Sequence, residues 1–210
     1  MLHKSTVNYI KKKAKKEHLT IPQNYEQILE QYIEKANKLG YTLEFRKGRC
    51  LEPDSLNANA GWTPKMSIVA TPEWAARLVL YNTSEIHNVF EISLGHEITH
   101  KEKRLNSFKY GVLASTFVAH VNEVYADFNG TKLMANSQKD HLIGAIQYKK
   151  QFRKNDVSNS THPSWTNRLK YANFGVFDSD LIHEIAKDVN YSKEEVIKAV
   201  IEFFPIVELK

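Results

Sequence analysis

Cysteine is nearly absent from this sequence, since Cys50 is the only one among 210 residues. A single thiol excludes an internal disulfide bond and a zinc site built from thiolates. Any metal site must therefore use histidine and carboxylate ligands. Cys50 itself has no histidine partner motif, and we expect an inert thiol in a reducing compartment.

Long apolar runs are also missing. No stretch approaches the roughly 18 apolar residues that a transmembrane helix needs. The longest candidate, residues 111–121, is interrupted by Ser115, Thr116 and His120. The first twenty residues contain no apolar core of the kind found in signal peptides. We therefore expect a soluble, cytoplasmic protein.

The sequence has no internal repeats, low-complexity stretches or linker-like segments. Its 42% of hydrophobic and 11% of aromatic residues are typical of a globular protein. We expect one domain. Within it, residues 1–50 form a helical extension and a first strand, residues 51–175 form the core that carries the chemistry, and residues 176–210 form closing helices.

The net charge of +5 raises the question of an anionic partner. Much of this charge is concentrated near the N-terminus, in Lys11, Lys12, Lys13, Lys15 and Lys16. We interpret these lysines as a solvated helix face. This interpretation disfavours a nucleic-acid partner.

One stretch indicates metal chemistry. Residues 95–100 have the sequence Gly-His-Glu-Ile-Thr-His, inside a pattern that predicts a helix over residues 83–104. On a helix the step from His96 to His100 is nearly one turn, so both imidazoles share a face and can hold one ion. With Glu97 beside them, this is the HExxH pattern of zinc metalloproteases, whose glutamate takes a proton from a metal-activated water.

A bare HExxH string also occurs in unrelated helices, where the two histidines are only solvated or hydrogen-bonded. Catalytic zinc usually has three protein ligands. The sequence offers Glu123, in the segment Asn-Glu-Val-Tyr-Ala-Asp, far enough along for a second helix to return past the metal. Asp127, one turn later, is placed to accept a hydrogen bond from the outer nitrogen of a ligating histidine.

An ordinary charged helix face would also explain Glu123 and Asp127. The surrounding residues argue against it, because this helix is largely apolar and a carboxylate on its buried side needs a partner. The apolar residues are Phe117, Val118, Val121 and Val124.

The patterns predict an α+β fold that is mainly α. Strands are expected at residues 41–45 and 65–70, separated by a loop at residues 50–64. We expect the second strand to have a free edge that pairs with an extended substrate backbone. Further helices are predicted over residues 107–135, 138–153, 162–172 with Pro163 in the first turn, 179–189, and from Ser192 onward with Glu195 in a capping box.

The segments HEITH, NEVYAD and GTKLM resemble the gluzincin metallopeptidases, and most closely the family of the CAAX prenyl endoproteases and HtpX heat-shock proteases. That family combines HExxH with a glutamate ligand within ExxxD, a string that thermolysin-like enzymes share. A third segment, residues 161–168, resembles the family's THPxxxxR segment. Residues 56–60 are similar to its Asn-Ala segment before the edge strand.

The resemblance covers about residues 56–172 and implies a zincin-like fold with a small sheet and an active-site helix pair. It implies that His162 faces the zinc and stabilises the oxyanion, and that Arg168 lies in or near the cleft. Membrane members of the family carry transmembrane helices, commonly between the two ligand motifs, where this chain has only a short interval. We therefore expect a soluble, minimal member, for which a prenylated substrate does not follow.

The resulting hypothesis is a zinc-dependent endopeptidase that hydrolyses peptide or protein substrates. One Zn²⁺ per chain is held by His96, His100 and Glu123, and Glu97 is the general base and then the proton donor to the leaving amine. Two alternatives stay open. One is a dedicated regulatory peptidase of a mobile element that cleaves a single partner protein, and the other is a non-catalytic, zinc-stabilised binding protein.

Overall fold

The computed structural model describes residues 2–48, 55–59, 67–135, 137–152 and 155–210. These residues are mainly helical, with a three-stranded and a two-stranded sheet, so the predicted α+β, mainly α class is confirmed. None of the helices in the described ranges is both long and apolar enough to cross a bilayer.

The elements fall into three consecutive groups along the chain. The first contains α1 (Lys4–Glu17), α2 (Tyr25–Lys38), β1 (Thr42–Phe45), β2 (Ala58–Asn59), β3 (Ser67–Ala70) and α3 (Pro72–Leu80). The second contains α4 (Ser84–Glu102), a 3-10 helix (Ser107–Tyr110), α5 (Val112–Met134) and α6 (Lys139–Lys150). The third contains α7 (Trp165–Ala172), β4 (Val176–Phe177), α8 (Ser179–Asp188), α9 (Glu194–Phe203) and β5 (Val207–Glu208).

The three-stranded sheet has the order β1-β3-β2. β3 is parallel to β1 and antiparallel to β2, where Ala58 faces Ala70. The expectation that this strand has a free edge is therefore wrong, because β3 is central and the outer strands among the described residues are β1 and β2. A two-residue strand leaves no alternation in the sequence, which is why β2 falls within the predicted loop. The rest of that loop, with Cys50 and the start of the predicted second strand, lies outside the described residues.

Three helix starts also differ from the prediction. α5 begins at Val112, after a separate 3-10 helix over residues 107–110, and not at residue 107. Pro163 precedes α7, because Ser164 is the N-cap and its hydroxyl accepts a backbone N–H. α9 has Lys193 at its N-cap and no side-chain cap, so the predicted capping box of Ser192 and Glu195 does not form. These differences are shifts of one to five residues, and helix boundaries are the least reliable part of a sequence-based prediction.

The buried hydrophobic residues form one cluster that extends from α1 to β5. Phe90 on α4 lies among three other aromatic rings, with centroids 4.9 Å from Tyr32, 5.5 Å from Phe45 and 5.2 Å from Trp74. These contacts join α2, β1 and α3 to α4. The first group of elements therefore supports the helix that carries HExxH.

The C-terminal elements pack on α5 instead. The ring of Tyr125 lies 5.2 Å from that of Phe177 on β4 and 4.6 Å from that of Phe204, directly after α9. Phe177 and Phe204 are also in contact, at 5.8 Å. Aromatic packing thus anchors the helix that carries Glu123 to the third group of elements.

α1 is fastened to α3 by a buried carboxylate. Glu73 is only 3% exposed and accepts hydrogen bonds from Tyr9 at 2.8 Å, Lys13 at 2.9 Å and Arg77 at 2.7 Å. Lys13 is therefore an exception to the predicted solvated lysine face. The other four lysines of that segment are exposed, as expected.

Helices α4 and α5 meet at a pair of glycines. A Cβ atom on Gly95 would lie 2.4 Å from the carbonyl oxygen of Gly130, and one on Gly130 would lie 2.4 Å from the backbone nitrogen of His96. Real Cβ atoms do not approach backbone atoms so closely, so no larger residue fits at either position. The contact places the backbone of His96 directly against α5.

Gly130→Ala should therefore force the two helices apart and lower the free energy of unfolding by about 3 kcal/mol, because the clash is with backbone. Gly144→Ala is the matched control, since Gly144 is also helical and a Cβ there meets nothing within 4 Å. It should be neutral or stabilising by up to about 1 kcal/mol. Urea denaturation measures both changes, and equal stability of the two variants would contradict the backbone contact.

Candidate metal centre

His96 and His100 lie in the last turns of α4, on one face as predicted. Their rings meet edge to face, and their Nε2 atoms are 3.0 Å apart. Both side chains are buried, with 11% and 10% exposed. The two nitrogens therefore converge on one point.

Glu123 reaches the same point from α5. Its Oε2 lies 3.4 Å from Nε2 of His96, and its Oε1 lies 3.1 Å from Nε2 of His100. One donor atom from each of the three residues lies within 4.8 Å of the other two. Donors held tetrahedrally about 2.1 Å from a zinc ion are about 3.4 Å from one another. The three residues thus fit the binding of a metal ion.

The orientation of His96 is set by a buried ion pair. Nδ1 of His96 donates to Oδ1 of Asp127 at 2.9 Å, which directs Nε2 of the ring toward the site. Asp127 is 4% exposed and also accepts from Arg168 of α7, through Nε on Oδ2 at 2.8 Å and through Nη2 on Oδ1. The second histidine differs, because Nδ1 of His100 is buried without a hydrogen-bond partner among the described residues.

The two carboxylates of the site favour a positive charge on His96. Burial lowers the pKa of His96, but the hydrogen bonds and charges of Asp127 and Glu123 outweigh it and raise the pKa to about 9. Burial likewise raises the pKa of Asp127, while Arg168 and His96 lower it to about 2. The pKa of Glu123 is lowered well below its usual value by the two histidines, against the effect of burial. Carboxylates that favour a proton on an imidazole favour a cation in the same place.

A cleft of about 430 Å³ is lined by two of the three residues, His96 and Glu123. Asn57 and Ala58, at the outer strand β2, and residues of the segment 155–165 also line it. Glu97 lines the cleft next to His96. A group bound in this cleft would meet the metal-binding residues and the Glu97 carboxylate together.

Comparison with known proteins assigns no family to this geometry. The chain matches no family model, and searches of curated proteins and of solved structures found no match. The case for a metal centre therefore depends on the arrangement of the side chains themselves.

The two remaining predicted residues also lie at the cleft. His162 is partly exposed, and its Nε2 is 3.6 Å from Oε2 of Glu123. Burial lowers its pKa more than the carboxylate of Glu123 raises it. Arg168 lines the cleft and is buried against Asp127. The residues singled out in three separate segments of the sequence are thus brought to one place.

Sequence reasoning missed three supporting contacts. It did not pair Asp127 with Arg168, although these residues have opposite charges and end the NEVYAD segment and the segment of residues 161–168. It did not find the carboxamide of Asn122, which bonds the backbone N–H and C=O of Leu105 at 2.9 Å each and ties the middle of α5 to the chain that leaves α4. The close approach at Gly95 was also missed, although a glycine inside a predicted helix is a signal for it.

Glu123→Gln should remove most of the bound metal while preserving the shape of the side chain, because a neutral amide is a poor ligand for a divalent ion. The natural chain, supplied with Zn²⁺ and freed of excess, should keep about one ion. Elemental analysis of protein without a histidine tag measures this. Glu85→Gln, at an exposed position of α4, is the control and should bind like the natural chain. Equal metal content in all three proteins would contradict the site.

Asp127→Asn should weaken metal binding about 10- to 100-fold, because His96 loses its anionic partner. It should also lower the free energy of unfolding by about 3–5 kcal/mol, because it leaves the buried charge of Arg168 unpaired. Competition with a chelator and urea denaturation give the two values. Asp140→Asn, on the exposed side of α6, is the control. An effect on stability without one on affinity would show that Asp127 does not orient His96.

Proposed function

We propose that this protein is a zinc-dependent endopeptidase. The observation that carries the proposal is the convergence of His96, His100 and Glu123 beside a cleft that His96, Glu123 and Glu97 line. Two neutral imidazoles and a carboxylate, with no thiolate, form a ligand set that suits zinc. Bound there, zinc would lower the pKa of a water molecule toward neutrality and polarise the carbonyl of a peptide bond.

The residues of the chain then have distinct roles. Glu97 lies next to His96 along the chain and on the cleft, so it is positioned to take a proton from the attacking water and return it to the leaving amine. His162, which also lines the cleft, would donate a hydrogen bond to the oxyanion. Asp127 and Arg168 hold His96 in the orientation that ligation needs.

The resemblance to the HtpX and CAAX prenyl endoprotease family supports this proposal. Its three motifs supply His96, Glu123 and His162, and in the fold these residues surround one point. We propose on this basis a zincin-like fold, in which α4 and α5 are the active-site helix pair. The chain would be a minimal member of that family.

The cleft is suited to an extended peptide. Outer strand β2 borders it at Ala58, and an extended substrate can add to such a strand through backbone hydrogen bonds. That pairing would hold the peptide bond over the ligands without regard to side-chain identity. Peptides or unfolded protein segments are therefore the proposed substrates.

Glu97→Gln tests the mechanism, because it should keep zinc while lowering peptide hydrolysis about 10²- to 10⁴-fold. A fluorogenic peptide library provides the assay, with zinc content measured on the same samples. Glu85→Gln is again the control and should keep full activity. Full activity in Glu97→Gln would refute the mechanism. Cleavage of many library members would indicate a general peptidase, and cleavage of almost none a dedicated one.

A further inference from the structure

The segment that carries His162 into the cleft belongs to no helix or strand, yet its backbone is held in place. It runs from residue 155 to residue 164, between α6 and α7, and contains Val157 with 77% of its surface exposed. An exposed segment of this kind is normally mobile. Here, a hydrogen bond from a buried side chain of α5 and hydrogen bonds within the segment define the position of His162.

The inner attachment is His120 of α5. This side chain is 1% exposed, and its Nε2 donates to the backbone carbonyl of Asn159 at 2.7 Å. A carbonyl only accepts, so the proton of a neutral His120 is on Nε2, and Nδ1 is buried without a partner among the described residues. His120 lies three residues before Glu123. The helix that presents a metal-binding carboxylate therefore also anchors the segment of His162.

Asn159 in turn organises the next residues. Its Oδ1 accepts the backbone N–H groups of Thr161 and His162, both at 2.8 Å, and its own N–H donates to the carbonyl of His162 at 3.0 Å. Two N–H groups occupy both lone pairs of that oxygen. The Thr161 hydroxyl lies 2.9 Å from the same oxygen and 2.8 Å from Nδ1 of His162.

The Thr161 hydroxyl therefore faces two acceptors, Oδ1 of Asn159 and Nδ1 of His162, and a proton donated to Nδ1 uses the one that receives no backbone N–H. In a neutral imidazole this places the ring proton on Nε2, which is the nitrogen that faces Glu123 at 3.6 Å. A donor at Nε2 is what a hydrogen bond to an oxyanion requires. The backbone position and the tautomer of His162 thus have separate causes.

We propose that His120 and Thr161 are positioning residues for His162: His120 holds its segment over the metal centre through Asn159, and Thr161 keeps the ring proton on Nε2. The proposal deepens the proposed function and depends on it for the role of His162 in hydrolysis. The position and tautomer themselves are properties of the folded chain, and they can be measured whether or not a peptide is cleaved.

The first experiment is therefore spectroscopic. Long-range ¹H–¹⁵N spectra of the zinc-loaded full chain, labelled at histidine nitrogens, should show His162 with its proton on Nε2. Thr161→Val, which keeps the shape but removes the hydroxyl, should shift His162 toward the other tautomer, and Thr161→Ser should restore the natural spectrum. A ring proton on Nδ1 in the natural chain, or no response to Thr161→Val, would overturn the proposal.

The second experiment uses the peptide that the natural chain cleaves best. His120→Phe fills the buried space without a donor and should lower kcat about 10- to 100-fold through misplacement of His162, with KM changed less than about twofold. His120→Gln, whose amide can donate to Asn159, should recover most of the loss. In a His162→Ala background, His120→Phe should have little further effect. Equal losses in both backgrounds would show a merely structural role for His120 and overturn the proposal.

The two readouts separate this proposal from the proposed function. If no peptide is cleaved but the spectra respond as expected, the endopeptidase proposal fails and the arrangement of His162 stands. If peptides are cleaved but the spectra and the double variants show no coupling, the positioning proposal fails alone.

Discussion

The arrangement of the metal centre depends on the distance between two helices. At Gly95 and Gly130 the backbones of α4 and α5 are in direct contact, with no side chain between them. Helices with larger residues at the contact pack about 8–10 Å apart, and the side chains then set the spacing. Direct contact lets the short side chain of Glu123 reach the nitrogens of His96 and His100 from the opposite helix. The aromatic packing of Phe90 and of Tyr125 supports the two helices from behind.

Charge is the second constraint on the centre. Glu123, Asp127 and Arg168 are all buried, so without a metal the second carboxylate is balanced only by a proton on His96. Isolated buried charges are costly, so the carboxylates need partners. Asp127 has Arg168 and His96, while Glu123 has only imidazoles among the contacts described. A metal ion at the centre would take the place of that proton as the partner of Glu123, and the three residues could hold one.

Much of the candidate site was predictable, because the sequence patterns that indicate its residues are local. The step from His96 to His100 determines that both rings share a face of any helix, whatever surrounds it. The apolar pattern around Glu123 indicated a buried carboxylate in need of a partner. Sheet order was not predictable in the same way. The pattern of residues 65–70 indicates a strand, but its place between β1 and β2 depends on pairing partners distant in the chain.

By itself, then, the sequence determined the residue types, their helical faces and hence the chemistry that is available at the site. Tertiary structure alone decided that α4, α5 and the segment of His162 meet at one point. It also decided that Asp127 pairs with Arg168, and that His120 holds Asn159. The physical reason is the separation along the chain over which each kind of signal acts. Periodicity and spacing act over a few residues, whereas these contacts join residues 39 and 41 positions apart, and only the packed chain brings them together.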